Sequence, residues 1–292
     1  MRPRQRSNEV TAACDARCIH CPRERMDRPS RAMAFPLFKR IIDEAAELKV
    51  PELRPNGYGE LLVLKDLERY LEYIRSKRHN FKIAINTNGN RMTDEKIELF
   101  IKTRVNAINI SIDGATAETA EAVRVGLDFH QIEGNVRSLL ETRRRLGVAE
   151  PKVRVSMIAI DRNRHEVSQF LARWTGVADF VGVEGFSNRV GSVSPAIAGA
   201  DRAEGGTRAR SCAMPFRDLN IWADGKAVLC CNDWNEEHVV GDLNRQSMRE
   251  VWLGQQLTLA RRLHRAGRGA DIDLCRRCNY WEVPGPGIRL WD

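Results

Sequence analysis

The sequence predicts a parallel α/β protein followed by a small cysteine-rich unit, and three observations carry that reading. From residue 7 to about 186, short apolar runs alternate six times with amphipathic helical patterns. That alternation is the mark of parallel strands joined by right-handed helical crossovers. The eight cysteines form two groups, Cys14, Cys18 and Cys21, then Cys212, Cys230, Cys231, Cys275 and Cys278, with nearly two hundred cysteine-free residues between them. The intervening text "NRVGSVSPAIAGADRAEGGTRARS" is rich in Gly, Ala and Ser. Residues 187–211 therefore read as a linker or mobile loop between a unit at 1–186 and a second at 212–292.

Taken in order, "SNEVTA" leads as a strand into the first cysteine group. "PLFKRIIDEAAELK" places apolar residues at helical spacing, with Pro36 in its first turn. "PELRPNGYGE" reads as a strand and loop, and "DLERYLEYIRSK" as a helix. "FKIAINTNGN" is a strand ending in an Asn-Gly turn, followed by "TDEKIELFIKT", a helix with a Thr cap. "VNAINISIDG" is the fourth strand, with helices after it around 117–124 and 131–146. "KVRVSMIAI" alternates as a strand should, "NRHEVSQFLARW" is helical, and "DFVGVEGF" is the sixth strand. In such folds the chemistry sits at the carboxyl ends of the strands. Beyond residue 211 the text opens with a hairpin through Asp224-Gly225, continues with a helix near 247–265 and ends on "CRRC".

Composition narrows the class. The chain has 292 residues, 42% apolar and 29% charged, and no apolar run approaches the roughly 18 residues a membrane span needs. The basic start "MRPRQRSNEV" lacks the apolar stretch of a signal peptide, so a cytoplasmic protein is expected. Eight cysteines in that setting argue for metal or redox chemistry rather than disulfides. The formal charge of +8 suits an acidic partner, either nucleic acid or an electron-transfer protein such as a flavodoxin, and does not choose between them.

The first group, "CDARCIHC", has spacing C-x3-C-x2-C directly after the first strand. Three thiolates on one tight loop can hold three irons of a 4Fe–4S cluster and leave the fourth iron open. Zinc usually takes four ligands in two pairs, and His20 is too close in sequence to complete such a site. Here the chain resembles the radical S-adenosylmethionine (SAM) superfamily, whose hallmark is this loop at the start of a partial (β/α)6 TIM-like barrel. The resemblance implies a set of SAM contacts. Tyr58, Gly59 and Glu60 stand where the family's Gly-Gly-Glu receives the methionine amino group, with Tyr58 replacing the first Gly. His20 takes the position beside the adenine, and Asn88 lies in the "TNG" that closes the third strand. Ser111 and Asp113 end the fourth strand, Arg124 matches the arginine for the methionine carboxylate, and Ser156 falls at a ribose contact. The implied chemistry is reductive cleavage of SAM to a 5'-deoxyadenosyl radical that abstracts hydrogen. A flavodoxin or ferredoxin-type reductant would supply the electron, and nucleic acid is disfavoured as a partner.

Cys212, then "VLCC", then "CRRC" is similar to the four-cysteine pattern of the auxiliary-cluster segment called a twitch domain, so a second 4Fe–4S cluster is implied. The layout resembles aminoglycoside-pathway members of the superfamily, which include an aminocyclitol dehydrogenase and an epimerase. Matching "CCND" to the dehydrogenase pattern makes Cys230 the ligand and leaves Cys231 over. A thiol so placed could return a hydrogen atom to a substrate radical and invert the carbon; equally, free cysteine packs as a small hydrophobe.

The cluster loop begins at residue 14, which leaves no room ahead of it for a peptide-recognition domain, so a small substrate is expected. Asp233 and Glu236 in "NDWNEE", and Glu184 at the end of the sixth strand, are candidate contacts for a cationic amino sugar. The first reading is thus an epimerase of an aminoglycoside-type sugar. A dehydrogenase using the auxiliary cluster as electron acceptor is the alternative, and a zinc-bearing RNA-binding module the remote one.

Overall fold

The computed structural model of the chain describes residue 3 and residues 5–198 and 211–280. Strand β1 (Gln5–Asn8) leads into the cysteine loop, within which lies the two-residue β2 (Arg17–Cys18). Then follow α1 (Phe35–Glu47), β3 (Glu52–Arg54), α2 (Leu67–Arg75), β4 (Lys82–Thr87), α3 (Asp94–Lys102) and β5 (Ala107–Ser111). After α4 (Ala117–Val123) come a second short strand, β6 (Arg124–Val125), and α5 (Phe129–Arg145). β7 (Lys152–Ala159), α6 (Val167–Trp174) and β8 (Phe180–Gly185) complete the alternation.

Strands β1, β3, β4, β5, β7 and β8 lie side by side in that order and all run parallel. This is the six-stranded open barrel expected. The helices cover it because their apolar residues recur every three or four positions, as with Phe38, Ile41, Ile42 and Ala45 of α1, all buried against the sheet. The strands alternate: Ile108 and Ile110 of β5 are in the core, while Asn109 and Ser111 turn toward the barrel interior, where Ser111 Oγ lies 3.4 Å from Ser156 Oγ of β7.

The C-terminal part continues the same sheet. After α7 (Met214–Arg217), β9 (Asp218–Ile221) pairs parallel with β1 on its free edge. β10 (Lys226–Val228) and β11 (Val239–Asp242) then extend the sheet antiparallel. The turn from β9 to β10 holds Asp224 and Gly225, whose φ of 95° is the conformation glycine adopts at no steric cost. The helix expected over 247–265 is broken into α8 (Met248–Leu253) and α9 (Gln255–Arg265), because Gly254 adopts an extended conformation. α10 (Asp273–Arg276) carries Cys275.

Residues 187–198, the described part of the expected linker, are packed: Val190 and Val193 are buried, and Trp234 donates its ring N–H to Ser192 Oγ at 2.8 Å. Residues 199–210 and 281–292 lie outside the described residues. No helix among the described residues is long and apolar enough to cross a membrane.

A buried ion pair ties the two parts together. Glu9, just past β1, accepts both Arg28 Nη groups and the Tyr58 N–H at 2.8 Å. Arg28 also donates Nε to the Trp234 carbonyl at 2.7 Å and lies 5.0 Å from the Trp222 ring centroid.

Candidate active site

At the carboxyl ends of the barrel strands lies a cavity of about 750 Å³. Cys14, Cys18 and Cys21 form part of its wall. β2 pairs antiparallel with β6, which sets Cys18 opposite Arg124 and brings Arg124 Nη1 to 3.6 Å from Cys18 Sγ. Burial raises the Cys14 thiol to about 11 and Cys18 to about 12. Cys14 and Cys18 therefore hold their protons at neutral pH, and binding a metal would release them. The facing backbone closes tightly on this loop. A Cβ on Gly59 would meet Thr11 O at 2.1 Å and Ala13 O at 2.7 Å. Three soft ligands on one wall, under a backbone that tolerates no side chain, fit a site-open 4Fe–4S cluster.

Most residues assigned to SAM come together here. His20, Tyr58, Gly59, Glu60, Asn88, Ser111 and Arg124 line the same cavity as the three cysteines. The Glu60 carboxylate is already engaged inside the fold, accepting from Leu62 N at 3.0 Å and from Thr87 Oγ1 and Asn88 N at 2.8 Å each. Burial raises its pKa above the ordinary value. These bonds brace the turn after Gly59, and Glu60 still lines the cavity. Asn88 is fixed by donating to Asp15 Oδ1 at 2.8 Å. Asp113 departs from its expected place. It is fully buried behind the wall, where Oδ1 accepts from Ile158 N at 2.6 Å and Oδ2 lies 2.7 Å from Arg124 Nη2. Asp113 is thus paired with Arg124 and lies off the cavity lining. Ser156 likewise lies behind Ser111, off the cavity wall. His20 Nε2 is 3.5 Å from Asp113 Oδ2, yet burial lowers its pKa to about 4 and keeps the ring neutral.

The second cysteine group divides between two spaces. Cys212, Cys230, Cys275 and Cys278 line one small apolar pocket together with Met214, Leu229 and Leu274. Cys231 is absent from that pocket and instead lines the large cavity shared with Cys14, Cys18 and Cys21. The split falls in the turn that follows β10, where Asp233 N donates to Cys230 O at 3.1 Å. Four thiols lining one apolar pocket are the donor set of a fully ligated auxiliary cluster. Burial holds the Cys231 thiol up at about 11, so it carries its proton at neutral pH.

Around Cys231 the cavity is polar. Glu52 and Arg54 of β3, Arg217 and Asp218 at the start of β9, Asn220, Glu184, Ser187 and Arg189 all line it. Sequence reasoning named only Glu184 among these. Alternating polar residues along "ELR" and "DLN" were a usable signal that those strands face a solvated interior. Arg189 carried none, since it sits in the stretch read as a linker; it is held by donating Nη1 to Asn232 Oδ1 at 3.0 Å. Glu184 is paired with Arg154 at 2.7 Å. Asp233 and Glu236 are not brought to the cavity. The Asp233 carboxylate turns inward to accept Glu237 N at 2.8 Å and His238 N at 2.9 Å, and Glu236 pairs with Lys226 at 2.6 Å.

An open parallel barrel with a three-cysteine loop at the mouth, and a second four-cysteine pocket beside it, defines a radical SAM enzyme with an auxiliary iron–sulfur unit. The chain belongs to the radical SAM superfamily: that family's model matches residues 8–168, more than half of the chain. The model of an iron–sulfur cluster-binding domain matches residues 212–279. The enzyme accordingly uses SAM, a SAM-binding 4Fe–4S cluster and an auxiliary cluster. Among relatives, the tungsten-containing aldehyde ferredoxin oxidoreductase cofactor-modifying protein of Pyrococcus furiosus is 27% identical over 57% of this chain, which spans 46% of that protein. The S-adenosyl-L-methionine-dependent 2-deoxy-scyllo-inosamine dehydrogenase of Niallia circulans is 22% identical over 94% of this chain and 92% of its own length. The crystal structure of BtrN in complex with AdoMet and 2-DOIA shares the fold, with a TM-score of 0.70 at 18% identity over 99% of this chain and 98% of that one.

Proposed function

We propose that this enzyme epimerises one carbon of a hydroxyl-rich small molecule, an aminoglycoside-type sugar or aminocyclitol, in antibiotic biosynthesis, with Cys231 as the hydrogen-atom donor. The observation that carries the reading is the division of the adjacent cysteines, with Cys230 facing the auxiliary pocket and Cys231 the reaction cavity. When bound, the first cluster and SAM supply the 5'-deoxyadenosyl radical, which takes a hydrogen atom from the substrate carbon. The Cys231 S–H bond then breaks toward the opposite face of that carbon, giving inverted product and a cysteine thiyl. One electron, from a flavodoxin or ferredoxin-type reductant, and one proton restore the thiol. Neutral amide and hydroxyl groups beside three arginine–carboxylate pairs, Arg54–Glu52, Arg154–Glu184 and Arg217–Asp218, suit a ring bearing hydroxyl and amino groups.

The second reading is a dehydrogenase, favoured by the similarity over nearly the whole chain to an aminocyclitol dehydrogenase. It needs no thiol on the cavity. Anaerobic assay of Cys231→Ala against a panel of aminoglycosides and their cyclitol precursors separates the two. Epimerisation requires that 5'-deoxyadenosine still forms while inverted product is lost. Native product at near-native rate would sink the donor role.

A further inference from the structure

We infer that His264 donates a hydrogen bond to the Cys275 thiolate and thereby raises the reduction potential of the auxiliary cluster. His264 ends α9 and is only 2% exposed. Its Nε2 lies 3.5 Å from Cys275 Sγ, within hydrogen-bond reach of sulfur. It lines the same pocket as Cys212, Cys230, Cys275 and Cys278, a pocket otherwise walled largely by Val190, Met214, Pro215, Leu229 and Leu274.

The direction of the bond follows from the chemistry of the partners. A ligating thiolate has no proton to give, so Nε2 carries the hydrogen and the sulfur accepts. A hydrogen bond to an ionised acceptor in an apolar surrounding is stronger than one in water. Reduction adds negative charge to cluster and thiolates, so a donor aimed at the sulfur stabilises the reduced form more than the oxidised one. Hydrogen bonds to the sulfurs are among the factors that set such potentials. The inference needs only the auxiliary cluster and holds for epimerase and dehydrogenase alike.

The test uses the full chain with Cys14, Cys18 and Cys21 changed to Ala, so that the auxiliary cluster alone is reconstituted. Redox titration followed by electron paramagnetic resonance should show His264→Leu shifted to more negative potential, with His264→Gln, which keeps an N–H, restoring part of the shift. A His264→Leu protein that holds about four irons per chain at an unshifted potential overturns the inference. Should that variant lose its iron, the protein with native His264 decides. Labelled with ¹⁵N-histidine, its reduced cluster should show a ¹⁵N coupling in pulsed resonance spectra, and absence of that coupling overturns the inference.

Discussion

The Tyr58 hydroxyl donates to the backbone carbonyl of Cys231 at 3.0 Å, joining residues 173 positions apart. Tyr58 lines the cavity shared with Cys14, Cys18 and Cys21, and its ring also meets Trp222 edge-on at 5.9 Å. One side chain thus ties the segment that carries the proposed donor thiol to the loop at Tyr58–Glu60. Tyr58→Phe should leave SAM cleavage intact while lowering inverted product per 5'-deoxyadenosine. Losing one such hydrogen bond corresponds to roughly a two- to ten-fold drop. An unchanged ratio, measured by chromatography of both products, would show that the bond does not position the thiol.

Changing Cys14, Cys18 and Cys21 together to Ala should abolish 5'-deoxyadenosine formation, because the open-site cluster loses every protein ligand. Undiminished formation would contradict the assignment of the loop.

Cys275→Ala with Cys278→Ala should remove one cluster's worth of iron, about four of about eight per chain. Iron held at the full level would place the auxiliary cluster elsewhere. In the same assay Cys231→Ala should retain all of its iron, since Cys231 faces the other space.

The Glu9–Arg28 pair is buried on both sides. Glu9→Gln leaves the guanidinium without its counter-charge, a loss of about 3–5 kcal/mol for such pairs. Thermal melts of the anaerobic holoenzyme should therefore fall clearly for Glu9→Gln and recover in part for Glu9→Gln with Arg28→Met. No change in the single variant would mean that the junction does not depend on the pair.

The fold and the grouping of Cys14, Cys18 and Cys21 were legible in the sequence because each rests on local spacing. The three-cysteine loop is contained in eight residues, and strand–helix alternation repeats at short range. Contacts made across the chain were not legible. Asp233 and Glu236 read as acidic groups beside Cys231, but whether a carboxylate faces a ligand or its own turn depends on how the backbone folds back toward Glu237 and His238. Asp113 sits on the expected strand end, yet its φ of 63° and its bond to Ile158 N turn it behind the wall. Arg189 enters the cavity through tertiary packing of a stretch that looked like a linker.

The reaction in deuterated water tests the central claim most directly. The S–H of Cys231 exchanges with solvent before transfer, so native enzyme should place one deuterium at the inverted carbon while 5'-deoxyadenosine receives its hydrogen from the substrate. A product lacking solvent deuterium, and lighter than substrate by two hydrogens, would contradict the account and assign the enzyme to alcohol oxidation.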